Sequence, residues 1–275
     1  MRDHPAVRTV LAPNPSPMTL DGTRTYLVGR EQPVVIDPGP ALDGHVEAVE
    51  VALGGVRPAA ILLTHSHADH AGAAPALAER TGAPVCMARG ALRPAFADGL
   101  VGRWLGDGDL VETDAGTLRA IATPGHAPEH LAFLLRQGAR SSWDVLFVGD
   151  HLMGQGDTTL VAPPEGDLAD YLDSLERLRA AEAEAMYPAH GPPIPDPAAA
   201  LARYAAHRQV RIAQVRDALR EGGPARPAAL VRRVYGAELD PALARAAEGS
   251  VGAILGYLAR RGEVRRGLLG RYSLA

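Results

Sequence analysis

Thr64-His65-Ser66-His67-Ala68-Asp69-His70 follows the apolar run Ala60–Leu63 and precedes a stretch of helical spacing, Ala71–Arg80, closed by Gly82. An apolar strand, a polar loop and a helix form the repeating unit of an α/β protein. Such folds place their sites at the carboxyl ends of strands. Four of the seven residues are metal ligands by type. Neutral imidazole and carboxylate are the donors that Zn²⁺ takes where thiolate is absent. One ion does not easily use four such close neighbours. The spacing therefore permits two metals, with His65 and His67 diverging from Asp69 and His70.

The same junction recurs outward along the chain. His126 ends Thr123-Pro124-Gly125-His126 after the strand Leu118–Ala122. Asp150 follows Val145–Val148, and His190 follows Ala185–Tyr187. One surface loop collects a histidine by chance. Four strand-to-loop junctions that together supply seven ligands are a different matter. His130 and His151 lie beside this set and read as residues that bond a ligand or line the pocket. His4 and His45 show no partner and read as surface residues.

Further strands are expected at Tyr26–Val28, Val34–Ile36, Pro84–Met87, Leu110–Glu112 and Leu131–Leu135. Asp37-Pro38-Gly39 reads as a stop signal after the second of these. Leu42–Leu53 has helical spacing. Leu168–Ala183 is amphipathic, with Leu172, Leu175 and Leu178 on one stripe and Asp167 as N-cap. Gly154–Thr159 reads as a loop placed to cover a substrate. The run Gly191–Pro197 breaks regular structure and divides the chain into residues 1–197 and 198–275. Beyond it helices are expected at Ala198–Arg220, Pro227–Tyr235 and Pro241–Arg261. Glu263–Arg265, a turn over Gly267–Gly270 and Arg271–Leu274 then make a hairpin. Three helices and a terminal hairpin are the outline of a winged-helix module.

The 275 residues suffice for one sizeable α/β core and a small second unit. Aromatics make up only 4%, so the core rests on Val, Leu, Ile and Ala. Cys86 is the single cysteine, which excludes an intrachain disulfide, and its apolar run marks it as core rather than as a nucleophile. No stretch reaches the roughly 18 apolar residues of a membrane span. A cytoplasmic chain is the expectation, which counts against a secreted antibiotic-degrading enzyme. Net charge is −4, but residues 201–275 hold fourteen Arg against six acids. That +8 segment points either to a polyanionic partner or to solvated helix faces on which Arg replaces Lys.

The order HxHxDH, PGH, GD and a late HG, over residues 20–195, resembles the metallo-β-lactamase superfamily. The resemblance implies an αββα sandwich with metals at one edge, followed here by the winged-helix-like unit. On the family's pattern His65, His67 and His126 hold one metal. Asp69, His70 and His190 hold the other, and Asp150 bridges them. Two zinc ions are implied, with Mn or Fe able to use the same ligands. The reaction implied is hydrolysis by a metal-bridging hydroxide, available near neutral pH, with Asp69 and Asp150 as the catalytic carboxylates. The secreted β-lactamases carry Cys where Asp150 stands, which argues against that activity.

Gly149-Asp150 through Thr158-Thr159, Tyr187–Pro192 and His207-Arg208 further resemble the beta-lactamase-like protein 2 group. That group includes a single-strand-specific endoribonuclease, and its relatives hydrolyse thioesters. Two functions follow as expectations. The first is a single-strand endoribonuclease whose basic C-terminal segment holds RNA. The second is a thioesterase or lactonase of the glyoxalase II-like type, acting on a small anionic substrate, with the C-terminal helices walling the pocket or forming a homodimer contact. His207 and Arg208 are the expected substrate-binding residues, with Arg211 about one helical turn further on. Tyr204, Tyr235, Tyr257 and Tyr272 are too scattered to form a base-stacking set.

Overall fold

A computed structural model describes residues 4–90, 99–136, 143–236 and 239–275. Two sheets stack face to face. The first has strands β1 (Val7–Leu11), β2 (Arg24–Val28), β3 (Val34–Ile36), β4 (Ala60–Leu62), β5 (Val85–Ala88) and β6 (Val101–Leu105), in that spatial order. The pairs among β1, β2 and β3 are antiparallel, and those from β3 to β6 are parallel. The second sheet has the order β11-β10-β9-β8-β7, from β7 (Leu110–Thr113), β8 (Gly116–Ala122), β9 (Leu131–Arg136), β10 (Val145–Gly149) and β11 (Ala185–Pro188).

Strand periodicity assigns each side chain to a layer. Val28, Ile36, Leu62 and Cys86 of the first sheet meet Leu118, Phe133, Phe147 and Tyr187 of the second in the central core. Their chain neighbours Leu27, Val35 and Ile61 face outward against helices α1 (Asp43–Leu53) and α3 (Ala74–Thr81). On the far side Ile121, Leu134, Leu146 and Met186 pack under α4 (Leu168–Ala180), capped as expected by Asp167, whose side chain accepts from Ala169 N and Asp170 N. The layers are thus helix, sheet, sheet, helix.

The C-terminal region is helical: α5 (Pro197–Gly222), α6 (Pro227–Tyr235) and α7 (Pro241–Arg260). It closes with the antiparallel pair β12 (Val264–Arg266) and β13 (Tyr272–Leu274). Its apolar residues Tyr204, Ile212, Val215, Val251 and Leu255 join the same buried cluster as α4 and the second sheet. The two parts of the chain therefore share one core. Among the described residues no helix is long and apolar enough to cross a membrane.

Two expectations change. His4 and His45 are 1% exposed, not surface residues. His45 Nε2 shares a hydrogen bond with Thr25 Oγ1 at 3.0 Å, and the His4 ring lies 5.3 Å from that of Trp143. The helix expected over Ala71–Arg80 is two pieces, a short α2 (Ala68–Ala71) and α3. Pro75 falls in the first turn of α3, where its missing N–H costs no bond but a continuous helix could not run through it.

Candidate metal centre

The ends of β4, β8, β10 and β11 converge at one edge of the sandwich. They bring together all seven residues singled out from the sequence. Nε2 of His65 and Nε2 of His126 lie 2.9 and 3.0 Å from Nδ1 of His67. Beside them, His190 Nε2 is 3.3 Å from Asp69 Oδ2 and 3.1 Å from Asp150 Oδ1, and His70 Nε2 is 3.3 Å from Asp150 Oδ1. Asp150 Oδ2 turns the other way, 3.6 Å from His126 Nε2, so this carboxylate straddles both clusters. Zinc bonds of about 2.0–2.1 Å in a tetrahedron place ligand atoms about 3.3 Å apart, the spacing seen here.

The chemistry of the donors also fits cations. Each imidazole is held through the nitrogen that faces away from the centre. His65 Nδ1 meets Thr64 Oγ1 at 3.0 Å, and His67 Nε2 meets Glu165 Oε2 at 2.6 Å. His70 Nδ1 meets Asp37 Oδ2 at 2.9 Å. His126 Nδ1 donates to the Leu160 carbonyl at 2.7 Å, and His190 Nδ1 to that of Gly22 at 3.2 Å. Such bonds fix the tautomer and leave the inner nitrogen as a lone-pair donor. Inside, His70 Nε2, His190 Nε2 and Asp150 Oδ1 are buried without a hydrogen-bond partner. Buried polar atoms without partners are costly, and divalent ions held by all three would satisfy them.

Two glycines make the approach possible. Gly149 has φ 50°, and a Cβ there would lie 2.6 Å from His130 Nε2 and 2.7 Å from Thr64 Oγ1. Gly125 has φ 133°, and a Cβ would lie 2.4 Å from Tyr171 Cα. Either position filled by another residue would push Asp150 or His126 off its place.

Three supporting carboxylates are not evident in the sequence. Asp37 is read there only as a stop signal. It is 2% exposed with φ 49°, and it accepts from Thr64 N and Thr64 Oγ1, each at 2.7 Å, as well as holding His70. An aspartate in the left-handed region at a strand end is strain held by its surroundings. Glu129 Oε1 accepts from Ser66 N at 3.1 Å and Ser66 Oγ at 2.6 Å, which pins the loop between His65 and His67. Glu165 is the third. Replacing it, Glu165→Gln, is expected to weaken metal binding by the three-histidine cluster about ten- to a hundredfold, as read by chelator competition. Unchanged affinity would show that His67 needs no such partner.

Charge completes the picture. Burial lowers the His190 pKa, but Asp150 and Asp69 overcome it and raise it to about 9. Burial raises the Asp69 pKa, but His70 and His190 prevail and hold it at about 2. The metal-free protein thus keeps a proton on His190 at neutral pH, which a metal must displace. The sign follows. A pKa raised above its unfolded value adds stability that is whole below about 6.5 and lost as pH rises through about 9. The melting temperature of metal-free protein is expected to fall across that window, while metal affinity rises. A metal-free melting temperature that climbs from pH 6.5 to 9.5 would contradict it.

The expected substrate residues part ways. His207 and Arg211 line the pocket that holds His67, Asp69, His126 and Asp150. Arg208 does not line it. It is 5% exposed, donates from Nη2 to the Thr159 carbonyl at 2.6 Å, and lies 4.6 Å over the Tyr171 ring. The His151 ring is stacked on that same tyrosine at 4.3 Å, and the Tyr171 hydroxyl donates to the His151 carbonyl. Arg208 therefore braces the segment next to Leu160, which holds His126. Thr158 and Thr159, from the loop expected to cover a substrate, line the pocket. Tyr235, read as scattered, lines it too.

The family model described as Metallo-beta-lactamase superfamily matches residues 18–190. Lactamase-like protein adaB of Aspergillus niger is 35% identical over 216 residues, 78% of this chain and 63% of that protein. The chain therefore spans less than two thirds of that relative's length. An atrochrysone carboxyl ACP thioesterase of Aspergillus chevalieri is 34% identical over 223 residues, 79% of this chain and 67% of its own. A Beta-lactamase-like protein 2 homolog of Caenorhabditis elegans is 30% identical over 272 residues, 94% of this chain and 86% of its own. Among solved structures, a beta-lactamase domain protein from Burkholderia ambifaria has a TM-score of 0.83 at 27% identity, covering 100% of this chain and 93% of that one. TTHA1623, in a di-iron-bound form, has a TM-score of 0.51 at 30% identity over 68% of this chain and 94% of its own.

Proposed function

Because the chain belongs to the metallo-β-lactamase superfamily of hydrolases, we propose that it is a two-metal thioesterase for small acyl substrates. The observation that carries this reading is the shape of the space over the metal ligands. His67, Asp69, His126 and Asp150 floor a pocket of about 380 Å³ whose walls include Met18, Leu160, Leu239 and Leu243. That size and apolar lining suit a small ligand. The similarity to a named acyl carrier thioesterase agrees with it.

His65, His67 and His126 would hold one ion, Asp69, His70 and His190 the other, with Asp150 between. Zinc is our assignment from the nitrogen and oxygen donors, and iron, as in TTHA1623, is the alternative. When bound, such ions supply Lewis acidity and bring the pKa of a coordinated water to about 7. The chain's own residues do the rest. Asp69, ionised and facing the pocket, orients an attacking water through its carboxylate. The apolar wall holds the acyl group and excludes bulk water. A cytoplasmic setting accords with the single unpaired, buried Cys86.

A single-strand endoribonuclease is the second reading, favoured by the fourteen arginines of residues 201–275 and by the three helices α5–α7 with their terminal hairpin. Several of those arginines are engaged within the molecule, Arg216 with Glu263, Arg260 with Asp167 and Arg233 with the carbonyls of Ala218 and Gly222. The test is a panel of acyl thioesters and single-stranded RNA, run with zinc and with chelator. Thioester turnover that chelator removes and zinc restores is the expected result. Metal-dependent RNA cleavage without thioester turnover would replace the first reading by the second.

A further inference from the structure

Arg211 on α5 stands in the pocket wall with no counter-ion among the described residues. Its guanidinium lies 4.4 Å from the centre of the Tyr235 ring. Nε donates to His207 Nε2 at 3.2 Å, and Nη1 donates to Gln214 Oε1 at 2.9 Å. Neither partner brings a negative charge. Burial lowers the His207 pKa, outweighing Asp157, so the imidazole is a neutral acceptor for Arg211. Asp157 itself is 3.9 Å from His207 Nε2. Among the described residues no carboxylate pairs with Arg211, whereas Arg216, Arg220, Arg260 and Arg261 each have one.

The guanidinium is thus fixed on three sides by neutral groups. Nη2 has no hydrogen-bond partner among the described residues and is not fully buried. Around it the wall is apolar, with Leu239, Leu243, Ala246 and Ala247. A charge held in such a setting is poorly screened and favours an anion supplied by the ligand. Arginine, weakly hydrated and rigid in its fork, suits a carboxylate or a phosphate.

We propose that Arg211, braced by Tyr235, His207 and Gln214, recognises an anionic group on the substrate of this pocket. The identity of the reacting bond rests on the thioesterase reading above; the anion site does not. The anion has two possible sources in a thioester. One is a carboxylate at the far end of the acyl chain. The other is the phosphate of a phosphopantetheine arm on the thiol side.

The test uses hydrolysis-resistant thioethers in calorimetric titration of the zinc-loaded, full-length protein. One pair is S-hexyl-N-acetylcysteamine and its ω-carboxy analogue. The other is S-hexylpantetheine and S-hexylphosphopantetheine. In one pair the charged member is expected to bind about tenfold more tightly than its neutral twin. That pair identifies the source. Arg211→Met, which keeps a chain over Tyr235 but no charge, is expected to bring the ratio to about one, and Arg211→Lys to retain part of it. Equal binding within both pairs by the wild type, or a preference that survives Arg211→Met, would overturn the proposal. Turnover of the hexanoyl thioester is read separately. Its absence beside an intact charge preference refutes the reaction and leaves the anion site standing; turnover without charge preference refutes the anion site alone.

Discussion

Asp150→Ala is expected to lower turnover about a thousandfold or more while the protein stays folded. Among the described residues Asp150 is the one carboxylate that reaches both histidine clusters, 3.1 Å from His190 Nε2 through Oδ1 and 3.6 Å from His126 Nε2 through Oδ2. Its loss removes a donor from each metal site at once. The fold tolerates the change because His70 and His190 owe their raised pKa values largely to this neighbour. Without it those values are lowered, and Asp37 beside His70 and Asp69 beside His190 remain as partners for any proton they keep. His151→Ala is the control. His151 is the next residue in the chain, but its ring is stacked on Tyr171, and its Nε2 faces the Tyr171 carbonyl at 3.3 Å. It is expected to cost packing and stability, with metal content retained and turnover far less affected. Metal analysis and steady-state kinetics on both variants decide the matter. Small and equal losses would mean that Asp150 is not the shared ligand.

Deleting residues 201–275 is expected to give an insoluble protein or one that no longer holds metal. From the sequence, loss of this segment should cost substrate affinity before chemistry, on condition that the remainder stays soluble. The shared core works against that condition. Tyr204, Ile212, Val215, Leu255 and Leu258 are buried in one cluster with Ile121, Leu146 and Met186 of the second sheet. Exposing that face leaves a large apolar patch. The damage also reaches the site. Tyr204 accepts through its hydroxyl from Met153 N at 2.9 Å, and Arg208 holds the Thr159 carbonyl next to Leu160. Expression in the soluble fraction and metal content are the readouts. A soluble, monomeric fragment with full metal content would show that the first two hundred residues are self-sufficient.

The candidate ligands were legible because their signal is local. Each follows an apolar strand, and metal chemistry restricts the residue types. The central strands were legible for the same reason, since Val34–Ile36 and Val145–Val148 are buried on both faces and read as unbroken apolar runs. The two edges of the first sheet were not. β1 buries only Val7, alternates half-buried and exposed positions after it and contains Arg8, and β6 contains Gly102 and Arg103 with only Leu105 buried. An edge strand is half solvated, so its pattern is weak. Asp37, Glu129 and Glu165 were illegible for a different reason. A supporting carboxylate is recognised by the histidine or serine it touches, and Glu165 lies 98 positions from His67. Arg208 shows the reverse error. Its place one turn from Arg211 suggests one shared face, but Arg208 is turned into the core over Tyr171, while Arg211 lines the pocket.

We propose that these seven residues hold two metal ions on which activity depends. The most direct measurement is elemental analysis of protein purified without chelator, paired with activity in excess EDTA. Up to two transition-metal ions per chain are expected, lost together with activity on chelation and restored together on adding zinc. Protein free of transition metal and fully active in EDTA would contradict it.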